Sequence, residues 1–183
     1  MSDVKKKFIN HATVAAYLGV IVEKMRKDNF TPDLVVGLSR GGLIPGAMMS
    51  HFMNVPFIPF QTALRDHPVW KPNKADLADA KTVVIIDDIC DTGATFKKLK
   101  AELNEEFPDL DVRFACLHYN RPSSFSIDWY GSFIDKEKQD LWLVYPWEDW
   151  WERDAVENTI VNDIIGRMQC CLLYTSPSPR DNT

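Results

Sequence analysis

Val83-Val84-Ile85-Ile86-Asp87-Asp88-Ile89-Cys90-Asp91-Thr92-Gly93-Ala94-Thr95 is the stretch on which the reading of this chain turns. Four β-branched residues in a row leave no polar face, the pattern of a parallel strand buried on both sides. They run straight into two adjacent carboxylates. A Thr/Gly turn follows, and Phe96, Leu99 and Leu103 are spaced for one face of a helix. The start of a helix offers free N–H groups and the positive end of the peptide dipole, both of which favour a phosphate. Thr92 and Thr95 add hydroxyl donors. As plain structure, Asp91 would be a helix N-cap and Asp87–Asp88 a solvated turn. That leaves the second carboxylate unexplained, because neighbouring acids at a buried strand end repel each other. The pair makes sense if it holds a metal or sugar hydroxyls.

Upstream, Thr31-Pro32-Asp33 breaks the chain and Leu34 to Leu38 reads as a short buried strand. The turn Gly37-Leu38-Ser39-Arg40-Gly41-Gly42-Leu43-Ile44-Pro45-Gly46 comes next, with a helix predicted over Leu43 to Met53. Glycines let backbone N–H groups approach an anion, and Arg40 can fork two phosphate oxygens. An ordinary strand-to-helix turn reads the same way. The turn lacks the Gly-Lys-Ser/Thr ending of a Walker loop and the G-x-G-x-x-G of a dinucleotide site. Val14, Tyr17, Leu18, Ile21, Val22 and Met25 predict a helix over Asn10 to Lys27. Val55 to Phe60 reads as an edge or irregular strand because of Pro56 and Pro59. Residues 61–81 read mostly as a long polar loop, of a length usual for a functional lid or a disordered segment. Val112 to Tyr119 and Leu141 to Tyr145 read as further strands, and Val156, Ile160, Ile164 and Met168 as a last amphipathic helix. This alternation implies a parallel α/β sheet, with ligands at the carboxyl ends of its strands.

Composition narrows the function. A chain of 183 residues with 45% hydrophobic content suits one α/β domain. With 26 acidic against 21 basic side chains, the net charge of −5 argues against bulk electrostatic binding to nucleic acid, though not against a small anionic substrate. No stretch of eighteen apolar residues offers a membrane span, and the first ten residues lack the apolar core of a signal peptide. Cys90, Cys116, Cys170 and Cys171 show no CxxC spacing and read as reduced thiols of a cytoplasmic protein.

The thirteen-residue run at 83–95 resembles the phosphoribosyl-pyrophosphate (PRPP) signature of the type I phosphoribosyltransferases. Ser39-Arg40-Gly41-Gly42 is similar to that family's pyrophosphate loop. Leu141-Trp142-Leu143-Val144-Tyr145-Pro146-Trp147-Glu148 is similar to the base-binding strand of its purine branch, nearest to the xanthine-guanine and hypoxanthine enzymes of bacteria, archaea and phages. The resemblance implies a type I phosphoribosyltransferase fold: a mainly parallel central sheet flanked by helices, with a small C-terminal hood. It implies Mg²⁺-dependent transfer of phosphoribose from PRPP to a purine, most simply a 6-oxopurine, in a cytoplasmic salvage enzyme that forms a homo-oligomer (dimer or tetramer). It binds neither nucleic acid nor membrane.

The resemblance also assigns roles. Asp87 and Asp88 hold the ribose hydroxyls, directly or through Mg²⁺, and Asp91 is the general acid/base beside the purine N7. Thr92, Gly93, Ala94 and Thr95 wrap the 5-phosphate. Ser39, Arg40 and Gly41 hold pyrophosphate in a turn that often carries a non-proline cis bond. Trp142 stacks on the base, and Leu143 offers its backbone to the exocyclic group. Two features depart from the pattern. Purine-specific relatives carry a lysine after the strand ending near Tyr119, where this chain has Asn120-Arg121-Pro122; Arg121 is the best substitute, although its planar fork is not an equivalent donor. The loop at Thr62 to His67 lacks the relatives' Ser-Tyr pair. Alternatives are transfer to another base, or a PRPP-binding regulator without turnover, against which the acidic charge and the retained Asp91 both speak. His67 and His118 read as ordinary surface or core residues, and Trp147, Trp150 and Trp151 as packing or a subunit contact.

The domain is read as 1–170. Cys171 to Asp181, CLLYTSPSPRD, matches the translation of a transposase-based sequencing adapter residue for residue, so 171–183 is read as a tail that is not native. Deleting residues 171–183 is expected to leave melting temperature and activity unchanged within error. A large loss of stability in that deletion would show the tail to be packed.

Overall fold

The computed structural model describes residues 5–61, 77, 79–139 and 141–148. Contacts divide the chain into Met1–Tyr145 and Pro146–Thr183, and of the second unit only 146–148 are described. The lid segment 62–76, His67, Trp150, Trp151, the helix expected at Val156 to Met168, Cys170, Cys171 and the adapter-like tail lie outside the described residues.

The elements are β1 (Lys5–Phe8), α1 (His11–Lys27), β2 (Leu34–Ser39), α2 (Leu43–Met53), β3 (Phe57–Gln61), β4 (Thr82–Cys90), α3 (Ala94–Glu106), β5 (Asp111–Asn120), β6 (Trp129–Ile134) and β7 (Leu141–Val144). Five strands form a parallel sheet in the order β3-β2-β4-β5-β6. The acid-bearing strand is therefore central, and Val83, Val84, Ile85 and Ile86 are all fully buried. The proline-bearing β3 is an edge, as its sequence implies. β1 and β7 make a separate two-stranded parallel sheet, the hood.

Alternation along the strands sorts the core into two layers. Leu34, Val36 and Leu38 of β2, Val83 and Ile85 of β4, and Phe114 and Cys116 of β5 pack with Phe96, Leu99 and Leu103 of α3. α1 lies against β5 and β6, and α2 against β2 and β4. Helix α1 starts at Asn10, whose side chain accepts a hydrogen bond from the Thr13 amide at 2.8 Å, and buries the predicted face Val14, Leu18, Ile21, Val22 and Met25. Among the described residues, no helix is long and apolar enough to cross a membrane.

Three elements go beyond the sequence reading. The strand expected to stop at Ile86 continues to Cys90, because β5 keeps pairing with it through Cys90↔Tyr119. Asp87 and Asp88 are thus strand residues and not a solvated turn. β1 and β6 were not anticipated: Lys5–Phe8 is a charged tetrapeptide, and Gly131 and Ser132 dilute the apolar pattern of β6.

Phe114, fully buried, meets Phe96 and Phe125 with ring centroids 5.5 and 5.2 Å away. Phe114→Ala should cost about 3–5 kcal/mol through the cavity it leaves, read as the shift in urea-unfolding free energy. A loss of under about 1 kcal/mol would show that this layer collapses freely.

Candidate active site

The strand order makes β2 and β4 neighbours whose following connections run in opposite directions, to β3 and to β5. Such a switch point opens a crevice at the carboxyl ends. Its position can be read from the register: β2–β4 pairing ends at Gly37↔Ile86, while β2 continues along β3 to Ser39↔Gln61 and β4 along β5 to Cys90↔Tyr119. The turn at 39–42 and the segment 87–95 face each other across this gap.

They touch. A methyl built on Gly42 would sit 2.1 Å from the Ile86 carbonyl oxygen, and one on Gly41 would sit 2.3 Å from the Asp88 carboxylate. Only glycine permits this approach. The Gly42 amide donates to the Leu38 carbonyl at 2.7 Å, closing the turn, and the Ser39–Arg40 peptide bond is cis, as the resemblance implies. Arg40 is exposed at the apex.

Consecutive strand residues point to opposite faces, yet both acids reach this turn. Asp88, only 8% exposed, lies against Gly41, and the backbone of Gly42 acts on the Asp87 carboxyl, drawing it down. The Asp88 amide donates to Asp87 Oδ1 at 2.9 Å. Burial, and after it the charge of Asp88, pushes the Asp87 carboxyl well above the usual carboxylate range. A cation bound here would relieve both costs. Among the described residues no group of three or more His, Cys, Asp or Glu side chains converges, so those residues bring no third such ligand to this pair. That suits Mg²⁺, which takes one or two carboxylates and fills its remaining positions with water and substrate oxygens.

Beyond the pair, Gly93 adopts φ +79° and occupies the N-cap position of α3 with no side-chain cap. A side chain there would strike Phe125 and Ser123 at 2.5 Å. Thr92, Ala94 and Thr95 are exposed around this open helix start, whose first amides have no partner within the helix. The Thr92 carbonyl is anchored by the Ser124 amide and hydroxyl at 3.0 and 2.9 Å. Asp91 is not the N-cap. Its Oδ1 accepts from Asn120 Nδ2 at 3.0 Å and its Oδ2 from Lys136 Nζ at 2.6 Å.

Asn120 and Lys136, at the ends of β5 and β6, were not picked out by the sequence reading. The signal available was position, since parallel strands deliver every carboxyl end to one edge. Arg121 goes elsewhere: its guanidinium lies 3.7 Å from the Phe133 ring centroid, on the exposed side. Trp142 is half-exposed on β7 and Leu143 is buried. Two residues on, the Tyr145 hydroxyl donates to the Asp88 carbonyl at 2.9 Å, tying the hood strand to the acidic pair. Cys90 and Cys116 are buried, and burial pushes both thiols up, which leaves them unreactive.

A strand ending in paired acids, an open helix start and a glycine turn meet at the switch point, an arrangement able to hold a cation and an anion side by side. The chain belongs to the phosphoribosyl transferase domain family, which it matches over residues 8–147. It is similar to a xanthine-guanine phosphoribosyltransferase of Nitratidesulfovibrio vulgaris, 26% identical over 121 residues, covering 62% of this chain and 68% of that one. It is also similar to the hypoxanthine-guanine phosphoribosyltransferase of Saccharomyces cerevisiae, 25% identical over 197 residues, covering 81% and 88%. Among solved structures, a purine phosphoribosyltransferase from Pyrococcus horikoshii superposes with a TM-score of 0.65 at 29% identity, covering 79% of this chain and 95% of that chain.

The link between hood and acidic pair carries its own titration. With its proton committed to Asp88, the Tyr145 hydroxyl oxygen accepts from His118 Nδ1 at 2.8 Å, so His118 is the neutral Nδ1–H tautomer. Burial first, then the charge of Lys7, lowers His118 to about 4. With an unfolded value near 6.5, the unfolded chain takes up the proton first. Stability is therefore intact above about pH 6.5 and falls as pH drops from there toward 4. Between pH 7 and 5 this group should cost about 2 kcal/mol. His118→Asn, which keeps an N–H donor, should remove that share of the pH dependence in urea unfolding. An unchanged slope would reassign it to other groups.

Proposed function

We propose that this chain transfers the 5-phosphoribosyl group of PRPP to a purine, in particular a 6-oxopurine, releasing pyrophosphate in a Mg²⁺-dependent salvage reaction. The observation that carries the reading is the Asp87–Asp88 pair packed on the glycine turn at the switch point, with the glycine-capped start of α3 beside it. The purine names of the relatives support the choice of base.

In this reading the amides and hydroxyls of residues 92–95 hold the 5-phosphate, with the dipole of α3 behind them. Ser39, Arg40 and Gly41 hold the pyrophosphate, and the Arg40 guanidinium takes up the negative charge that grows on it as the C1–O bond breaks. Asp87 and Asp88 face the ribose, where they hold the hydroxyls and tolerate a cationic, oxocarbenium-like ring. When bound at this pair, Mg²⁺ supplies further neutralisation of the leaving group. Trp142 stacks on the base, the Leu143 backbone meets an exocyclic group, and Asp91 accepts the proton that the base sheds as its nitrogen bonds to C1.

The test is pyrophosphate release from PRPP and Mg²⁺ with guanine, xanthine, hypoxanthine, adenine, uracil and orotate in turn. Turnover restricted to oxopurines is expected. Asp87→Asn with Asp88→Asn should lower kcat about 100-fold or more and abolish Mg²⁺-dependent PRPP binding in calorimetry. The melting temperature should hold or rise, because the substitution removes buried like-charge repulsion. Near-normal kinetics in this double variant would overturn the assignment.

A further inference from the structure

His118 is 1% exposed and Tyr145 2%, and neither has a part in the transfer chemistry above. Their polar atoms form one chain. His118 Nδ1 donates to the Tyr145 hydroxyl oxygen at 2.8 Å, and that hydroxyl donates to the Asp88 carbonyl at 2.9 Å. The imidazole packs edge-on against Tyr17, with ring centroids 5.0 Å apart, and against Tyr145 at 5.6 Å. The chain thus joins β5 through His118, β4 through Asp88, and the hood through Tyr145, the residue that follows β7. We propose that Tyr145 is a positioning residue: its hydroxyl, aimed by His118, holds the hood strand that carries Trp142 and Leu143 in one place against the Asp87–Asp88 end of β4. Base and sugar are thereby presented to each other in one geometry. This rests on the transfer reaction proposed above.

The acid end of β4 needs such an anchor. Its pairing with β2 stops at Gly37↔Ile86, so among the described residues only the β5 ladder runs on beyond Ile86, with Ile89 opposite His118. The carbonyl that Tyr145 takes belongs to Asp88 itself, whose carboxylate lies against Gly41. A shift of that peptide moves the carboxylate with it. The direction of each bond follows from the groups: a carbonyl only accepts, so the tyrosine proton is committed to Asp88 and its oxygen receives the His118 N–H. Apolar residues at 118 and 145 would fill the same space without the desolvation cost of burying an imidazole and a hydroxyl. What the polar pair adds is uniqueness, because a displaced hood would leave imidazole, hydroxyl and carbonyl unmatched at once. Neither side chain is among the groups assigned to substrate, so both act through the backbone they hold.

Tyr145→Phe removes the hydroxyl and keeps the ring. It should lower kcat with hypoxanthine about 10- to 100-fold, with the KM for PRPP and for hypoxanthine within about threefold. His118→Leu leaves the hydroxyl without its guide and should lower kcat about 3- to 10-fold. His118→Asn, whose amide nitrogen can stand where Nδ1 stood, should recover most of that loss. Calorimetric binding reads the same tie without turnover. Inosine 5′-monophosphate spans the hood and the phosphate turn at 92–95, whereas ribose 5-phosphate reaches the turn without the hood. The first should weaken about 3- to 10-fold in Tyr145→Phe, and the second should hold within about twofold. If Tyr145→Phe does not fold, His118→Leu against His118→Asn gives the same comparison. A wild type with no transfer to any purine, in which Tyr145→Phe weakens the spanning nucleotide alone, would sink the proposed reaction and uphold Tyr145. An active wild type in which Tyr145→Phe keeps its kcat, or in which both ligands weaken alike, would overturn Tyr145 and leave the reaction standing. A wild type that neither turns over nor binds the nucleotide would overturn both.

Discussion

The contact between the 39–42 turn and the end of β4 is the constraint from which the rest of the site follows. With no side chain at Gly41 or Gly42, backbone comes within reach of the Ile86 carbonyl and the Asp88 carboxylate. Any larger residue would push the turn away and open the switch point. The same approach lets two successive strand acids serve one crevice, since each meets a different glycine of the turn. Their mutual repulsion and burial favour positive charge beside the pair.

The architecture was largely legible in the sequence because its strongest signals are local. A β-branched run before an acidic pair, and a helical face from Val14 to Met25, need no long-range information. The strand boundary at Asp87 was not legible, because pairing with β5 overrides the polarity of the residues it pairs. β1 was hidden for a related reason: Lys5, Lys6 and Lys7 are exposed, and the strand exists through backbone bonds to β7. Lys136 lay in a polar turn with no pattern of its own, and only the parallel edge brings it to Asp91.

The site also shows a division of labour. In the proposed reading, phosphate meets backbone amides at a helix start and a turn, joined by the Thr92, Thr95 and Arg40 side chains. In the same reading, the base meets side chains of the hood and of the carboxyl ends of the sheet. The family fold reflects the first set. At this edge two cations take different partners: Arg121 stacks on Phe133 and Lys136 pairs with Asp91.

Trp142 is held in register by Lys6 of β1, so a tetrapeptide near the start of the chain forms the wall behind the base-side strand. The Ile9 amide, bonded to the Val144 carbonyl at 2.8 Å, extends that grip toward α1. Residues 5–9, far in sequence from the acidic strand, therefore fix the backbone on which Trp142 sits.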